Sequence, residues 1–209
     1  MPELRIRSAR AGDEALIVTL LRELADYEKL LDKFRVTEDI VRRDYLGDRP
    51  LLQCELAFEG EAPVGVMTWY WTYASFAARR AIYLEDLFVR PSQRGKGHGK
   101  ALLVHLAKTG AAVGAQRVEW SVLDWNRPSI EFYDSLGARP VSGWLVYRLE
   151  GEALAALGAD ERGHRPGPRR GRQWRDRRAR PHPLADSRRH EALQGADAGP
   201  ADDRRPQDL

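Results

Sequence analysis

Cysteine is nearly absent from this chain, with Cys54 alone among 209 residues. A single cysteine cannot form an internal disulfide, and without a cysteine cluster it cannot frame a zinc site. No apolar run approaches the roughly 18 residues that cross a bilayer. Residues 1–14 contain no hydrophobic stretch of the kind found in signal peptides. We therefore expect a cytoplasmic protein with no metal and no membrane contact.

Lysine and most large apolar residues are missing from residues 161–209. This segment holds 13 of the 34 basic residues, all arginine, and 8 of the 31 acidic ones. Its net charge is therefore +5, and that of residues 1–160 is −2, which together give the net +3 of the chain. It cannot bury enough apolar surface to offset about 1–2 kcal/mol of backbone ordering per residue, which predicts a disordered tail. Two origins remain open: an arm that contacts phosphates or nucleic acid, or a frameshift or read-through product of GC-rich codons.

Residues 1–160 have the pattern of one globular domain. Apolar residues alternate with charged ones over 4–7, which predicts a strand, and further strands are predicted over 51–58, 64–73, 81–89, 117–122 and 144–149. Helical spacing predicts helices over 15–30, 37–46, 97–113 and 129–136. The order predicts a mixed α/β fold, with antiparallel strands first and parallel pairing where strands alternate with helices.

The most informative segment is the glycine-rich run 94–100, RGKGHGK, between a predicted strand and helix. Its glycines allow positive φ and close approach of a ligand, and amides at a helix N-terminus favour anions. Together with Arg94, Lys96 and Lys100, this pattern predicts a diphosphate site. No Ser or Thr follows the lysine, as a P-loop would require, and the run follows the fourth strand, whereas a dinucleotide fold carries it after the first. A flexible turn with solvated lysines remains the alternative from these residues alone.

The chain resembles the GNAT superfamily of acyl-CoA-dependent N-acetyltransferases. Arg94, Gly97 and Gly99 match its R/Q-x-x-G-x-G/A signature. The runs LADYE at 24–28, YLEDLFV at 83–89 and WNRPSIEFY at 125–133 are similar to the spermidine/spermine and thialysine N-acetyltransferase branch, and the resemblance covers roughly residues 3–157. It implies a GNAT fold, acetyl-CoA as co-substrate and a homodimer.

The same resemblance implies roles for individual residues. Tyr133 is expected to be the general acid that protonates the departing thiolate, and Glu85 to bind the amine and relay its proton. Since Glu85 and Asp86 are adjacent on a strand, their side chains are expected on opposite faces. The residues expected at the co-substrate are Leu87, Phe88, Val89, Arg94, Gly95, Lys96, Gly97, His98, Gly99, Lys100, Asn126 and Ser129. Those expected at the amine, besides Glu85, are Tyr27, Glu28, Glu119, Trp120 and Ser121.

Other polar and aromatic residues are interpreted as structural. His98 and His105 have no third ligand nearby, and Cys54 has no recognisable base, so neither a metal nor an acyl-enzyme is expected. The aromatic residues at 69–73 are expected in the core and the pocket wall.

Two positions depart from the polyamine branch. Ala74 and Gly143 stand near positions where polyamine acetyltransferases usually carry acids. A polycation would lose two attractive partners, which favours a lysine-like or thialysine amine over spermidine. Two alternatives to a small-amine acetyltransferase stay open, a protein or peptide N-acetyltransferase and a non-catalytic acyl-CoA-binding module with a basic tail.

Overall fold

The computed structural model describes residues 3–159, so the tail predicted over 161–209 lies outside the described residues. The strands are β1 (Leu4–Ser8), β2 (Gln53–Glu59), β3 (Ala62–Ala74), β4 (Arg79–Val89) and β5 (Val118–Glu119). The helices are α1 (Glu14–Tyr27), α2 (Glu38–Asp44), α3 (His98–Ala112), α4 (Arg127–Ser135) and α5 (Gly151–Gly158). Single 3-10 turns lie at Leu31–Lys33, Ser75–Ala77 and Pro91–Gln93. The described residues divide into two compact units, residues 3–142 and 143–159.

The first unit is built on one five-stranded sheet in the order β1-β2-β3-β4-β5. The first four strands are antiparallel neighbours, and β4 and β5 are parallel. A parallel pair needs a long crossover, which α3 provides. The mixed α/β fold expected from the order of elements is therefore confirmed.

Two apolar cores lie on the two faces of this sheet. On one face, the apolar stripe of α1 packs with α2 and with alternate residues of β2, β3 and β4. On the other face, Leu102 and Leu106 of α3 pack against Ile82 and Leu84 of β4. Burial on both faces holds β3 and β4 inside the first unit, and β4 leads into the glycine-rich loop.

Local capping fixes the ends of the first two helices. The Thr37 hydroxyl accepts a hydrogen bond from the backbone N–H of Ile40, as expected of the N-cap of α2. Helix α1 ends at Tyr27, earlier than the expected 30, because Lys29 turns into the left-handed region at φ 61°. The Leu30 N–H then reaches back to the Ala25 carbonyl at 2.8 Å, which closes the helix end.

Two predicted strands differ from the structure. The strand expected over 117–122 is reduced to Val118–Glu119, because the chain leaves β4 after two paired residues. The prediction of a strand over 144–149 is wrong, since the described residues form no strand there. An apolar run alone does not make a strand, because a strand also needs an edge to pair with. The sequence also did not predict α5, in the second unit.

None of the helices within residues 3–159 is long and apolar enough to cross a membrane.

Candidate active site

A cavity of about 780 Å³ lies at the point where β4 and β5 separate. The two strands pair only at Ile82 with Val118 and Tyr83 with Glu119. Beyond these pairs, residues 84–89 and 120–123 form opposite walls of the cavity. The end of α1, the glycine-rich loop and the start of α4 close the remaining sides. All of these elements belong to the first unit.

The glycine-rich loop has the backbone shape of an anion cradle. Gly95 and Gly97 adopt φ of 76° and 85°, which side-chain-bearing residues rarely do. Gly97 is the N-cap of α3 and receives no side-chain cap. The first N–H groups of a helix have no partner within it, so they are available to a ligand. The space beside both glycines is open, with no heavy atom within 4 Å of a Cβ built there. A diphosphate group fits this cradle.

The charged residues of the loop point in different directions. The Arg94 Nε donates to the Val89 carbonyl at 3.0 Å, and its guanidinium lies 4.3 Å from the centre of the Tyr27 ring. Lys100 lines the cavity. Lys96 does not line it, and its ammonium instead pairs with Glu59 at 2.9 Å. The predicted contact of the Lys96 side chain with a co-substrate therefore has no support from its placement.

An extra residue in β4 sets the direction of the two acidic side chains. Thr68 of β3 pairs with Asp86, but the next residue, Trp69, pairs with Leu84. Glu85 therefore has no partner in the register, as in a β-bulge.

The bulge turns both acids to the same face of the sheet. Leu84 belongs to the core beneath α3, whereas Phe88 belongs to the core beneath α1 and α2. On a regular strand, residues four apart share a face, so the bulge has reversed the alternation between them. Glu85 and Asp86 both lie on the Phe88 side, and both line the cavity. The expectation that they point to opposite faces is wrong, because it assumed a regular strand.

Three carboxyl groups gather in this part of the cavity. Burial raises the pKa of Glu85, and the negative charge of Asp86 raises it further. Burial and Asp86 likewise raise the pKa of Glu28. Burial raises the pKa of Asp86 too, although a hydrogen bond from the Thr68 hydroxyl opposes this effect. Sequence reasoning assigned no role to Asp86, since the bulge that brings it into the cavity leaves no signature in the sequence.

Tyr133 lies on the opposite wall. It comes from α4, and its ring packs 4.9 Å from the ring of Trp120 and 5.3 Å from that of Phe132. Burial raises the pKa of its phenol to about 12, with a smaller contribution from the charge of Glu28. The phenol therefore keeps its proton at physiological pH.

Asn126 connects two walls of the cavity. Its buried side chain accepts from the Ser129 N–H at 3.4 Å, which caps α4, and from the Tyr27 hydroxyl at 3.2 Å. Tyr27 thus bridges from the end of α1 to the start of α4. These bonds fix the position of α4, and with it Tyr133.

The cavity brings together most of the residues expected from the sequence. The members of the expected sets that line it are Tyr27, Glu28, Glu85, Leu87, Phe88, Val89, Arg94, Gly95, Gly97, His98, Gly99, Lys100, Trp120, Ser121, Asn126, Ser129 and Tyr133. Glu119 does not line it and pairs instead with Arg117 at 2.8 Å. None of the aromatic residues at 69–73 lines the cavity, so the prediction that they form part of its wall is wrong. Trp69 is buried in the core, as expected, and Tyr73 is exposed.

Within residues 3–159 no cluster of histidine, cysteine, aspartate and glutamate could hold a metal ion. Cys54 is buried, and its burial raises the pKa of the thiol, which disfavours the thiolate.

Comparison with known proteins gives a consistent result. The profile of the Acetyltransferase (GNAT) family matches residues 18–138. The chain is 36% identical over 168 residues to a thialysine N-epsilon-acetyltransferase of Sus scrofa, covering 75% of this chain and 98% of that protein. It is 33% identical over 171 residues to a spermidine/spermine N(1)-acetyltransferase-like protein 1 of Homo sapiens, covering 77% of this chain and 24% of that protein.

A solved structure has the same fold. An integron cassette protein from the mobile metagenome of V. cholerae superposes with a TM-score of 0.65 and 26% identity, covering 75% of this chain and 98% of that one. The family match spans more than half of the chain, and its residues 18–138 contain the β4 wall, the glycine-rich loop and Tyr133. This chain therefore belongs to the GNAT family of N-acetyltransferases.

Proposed function

We propose that this enzyme transfers the acetyl group of acetyl-CoA directly to the primary amine of a small molecule. The observation that carries the proposal is the cavity itself, which is lined by the glycine-rich loop and also by three carboxyl groups and the protonated Tyr133. The loop suits the diphosphate of CoA, and the carboxyl groups suit a cationic amine.

Backbone groups along β4 support the placement of the co-substrate. Because β4 and β5 separate after Tyr83, the edge of residues 84–89 is open toward the cavity. Unpaired strand edges offer N–H and C=O groups to an extended ligand. The pantetheine arm pairs with Leu87–Val89, and a backbone N–H near Phe88 stabilises the charge that develops on the thioester oxygen.

The chemical step needs one base and one acid. The ammonium of the substrate gives a proton to Glu85, directly or through water, and the free amine attacks the thioester carbon. A C–N bond forms as the C–S bond breaks, and the Tyr133 hydroxyl gives its proton to the departing thiolate. The second proton lost by the substrate nitrogen, as the amide forms, restores the Tyr133 phenol. Glu85 suits the first role because its raised pKa makes it a better proton acceptor than an ordinary glutamate.

The acidic end of the cavity supports a cationic acceptor. Glu28 and Asp86 add negative charge beside Glu85, which stabilises an ammonium group. The polyamine branch that the sequence resembles usually carries acids at the positions of Ala74 and Gly143, and this chain has none there. We therefore favour a short amine of the lysine or thialysine type over spermidine.

A panel of amines tests the choice of acceptor. CoA release from acetyl-CoA is measured with thialysine, lysine, ornithine, putrescine, spermidine and a lysine-containing peptide. We expect kcat/KM for thialysine or lysine to exceed that for spermidine. An equal or reversed ranking would contradict the choice of acceptor, and turnover of the peptide alone would select a protein acetyltransferase.

A homodimer is also part of the proposal. In the second unit, residues 144–149 (WLVYRL) carry large apolar side chains, and those of Trp144, Val146 and Tyr147 are 78–90% exposed. A contiguous apolar run of this kind is typical of a protein interface. We propose that a second copy of the chain covers it.

A further inference from the structure

Glu59, the last residue of β2, lies beside the glycine-rich loop without lining the cavity. Its carboxylate accepts a hydrogen bond from the Lys96 ammonium at 2.9 Å, and its side chain is only 11% exposed. The same ammonium donates to the Gln93 side-chain oxygen at 2.7 Å. Lys96 is therefore fixed on the side of the loop that faces the sheet.

His98 approaches the same carboxylate from the other side of Gly97. Its Nε2 lies 3.9 Å from the Glu59 oxygen that Lys96 contacts, and its side chain is 7% exposed. That nitrogen is buried and has no hydrogen-bond partner among the described residues. The separation is too long for a hydrogen bond, so the Glu59 carboxylate acts on the His98 ring only through its negative charge.

The loop has few other constraints on its shape. Gly95 and Gly97 are in the left-handed region, and the space beside them is open, so side-chain packing does not hold the backbone there. Besides the Glu59 contacts, the Arg94 bond to the Val89 carbonyl ties down the start of the loop. Glycine-rich backbone is costly to order. A contact that orders it before the ligand arrives therefore strengthens ligand binding.

The charge state of Glu59 suits this role. The Lys96 ammonium lowers the pKa of its carboxyl, so the group is ionised at neutral pH. The Glu59 carboxylate is largely buried and the Lys96 side chain is 40% exposed, and a charge-assisted hydrogen bond of 2.9 Å between them is stronger than a neutral one.

We infer that Glu59 is a positioning residue that holds the glycine-rich loop, through Lys96 and His98, in the shape that binds the diphosphate of CoA. This inference rests on the proposed use of acetyl-CoA. It gives Lys96 a different task from the one the sequence predicts, because its charge acts on Glu59 and not on the co-substrate.

A double-mutant cycle tests the inference. CoA binding is measured by titration calorimetry for the wild type, Glu59→Gln, Lys96→Met and the double variant, and KM and kcat are measured for each. We expect each single variant to bind CoA roughly tenfold more weakly, the loss of about one charge-assisted hydrogen bond. The double variant loses no more than Glu59→Gln alone, because the contact that Lys96→Met removes is one that Glu59→Gln has already removed. KM for acetyl-CoA rises, while kcat and KM for the amine stay within about twofold of the wild type.

Two control variants distinguish loss of the Glu59–Lys96 contact from a general effect of removing a charge or of unfolding the protein. Glu61→Gln removes a carboxylate two residues away whose side chain is 97% exposed, and we expect unchanged CoA affinity. Lys96→Arg keeps the ion pair, and we expect it to keep most of the affinity.

Other outcomes overturn the inference. If the losses multiply in the double variant, Lys96 binds the co-substrate independently of Glu59. If Glu59→Gln binds CoA as well as Glu61→Gln does, the carboxylate positions nothing. If the wild type binds no CoA at all, the proposed function itself fails, and the inference fails with it.

Discussion

At the scale of single residues, Glu85 and Asp86 show how one extra residue in a strand changes which side chains reach a site. Glu85 is the extra residue of a bulge, so both side chains reach the cavity. Burial raises the pKa of both carboxyl groups, and the negative charge of Asp86 raises that of Glu85 further. A site that needs a proton acceptor near neutral pH benefits from this shift.

The proposed base gives a prediction about pH. The base form of Glu85 is its carboxylate, and its pKa is raised, so kcat/KM of the wild type falls as pH drops through a value above the usual glutamate pKa of about 4.3. Glu85→Gln lowers kcat/KM about 100-fold or more at neutral pH and loses this acidic limb. Steady-state rates measured from pH 5 to 9 check both effects.

The matched control for this experiment is Glu131→Gln. Glu131 is exposed on α4 and does not line the cavity, so the variant should keep the wild-type rate and profile. An unchanged acidic limb in Glu85→Gln would assign the proton transfer to another group.

At the scale of elements, the start of α1 depends on a paired side chain. Asp13 accepts two hydrogen bonds from the Arg7 guanidinium of β1, at 2.7 and 2.8 Å, and one from the Arg10 N–H at 2.8 Å. These contacts fix the beginning of the helix whose other end supplies Tyr27 and Glu28 to the cavity.

Removing this ion pair gives a stability prediction. Asp13→Asn should lower the free energy of unfolding by about 1–3 kcal/mol at pH 7, because the Arg7 charge loses its partner. The bond from Arg7 lowers the pKa of Asp13, so its stabilisation is present above the unfolded pKa and disappears as pH falls through the lower, folded value. The difference between wild type and variant should shrink in the same acidic range.

Denaturant unfolding at several pH values measures this difference. Asp39→Asn is the control, because Asp39 also pairs with an arginine at 2.7 Å but its side chain is 92% exposed. An exposed pair contributes about 0–1 kcal/mol. An equal loss of unfolding free energy in the two variants would show that the Arg7 contact stabilises the protein no more than an exposed ion pair does.

Elements with strong local signals could be predicted from the sequence, and those set by distant contacts could not. Periodicity and turn residues located β2, β3, β4 and α3, and the spacing of Arg94, Gly97 and Gly99 located the loop. The bulge in β4 could not be predicted from the sequence, because it depends on how β3 and β4 align. The strand expected over 144–149 was wrong for a related reason, because the sequence pattern does not show which edge is available for pairing.

The candidate site shows the same division. Most expected residues line the cavity, since motif spacing fixes which elements meet there. The side-chain directions of Lys96 and Glu119 did not follow from the motif. Each has a nearby partner of opposite charge, Glu59 for one and Arg117 for the other, which draws it away from the cavity.

At the scale of the whole molecule, the exposed run of residues 144–149 leads to a prediction about assembly. Val146→Lys places a charge in the proposed interface and should shift the chain from dimer to monomer in light scattering coupled to size exclusion. Val113→Lys alters an exposed valine at the end of α3 and should leave the dimer intact. A wild-type monomer, or a dimer that survives Val146→Lys, would contradict this interface.

The central claim is that the cavity transfers an acetyl group from acetyl-CoA to a small amine, with Tyr133 as the acid. The most direct measurement is the rate of CoA release with acetyl-CoA and a lysine-type amine, for the wild type and for Tyr133→Phe. We predict release that depends on the amine and that falls about 100-fold or more in the variant, while CoA affinity is kept. CoA release at the same rate with and without the amine, or at the same rate in Tyr133→Phe as in the wild type, would contradict the account.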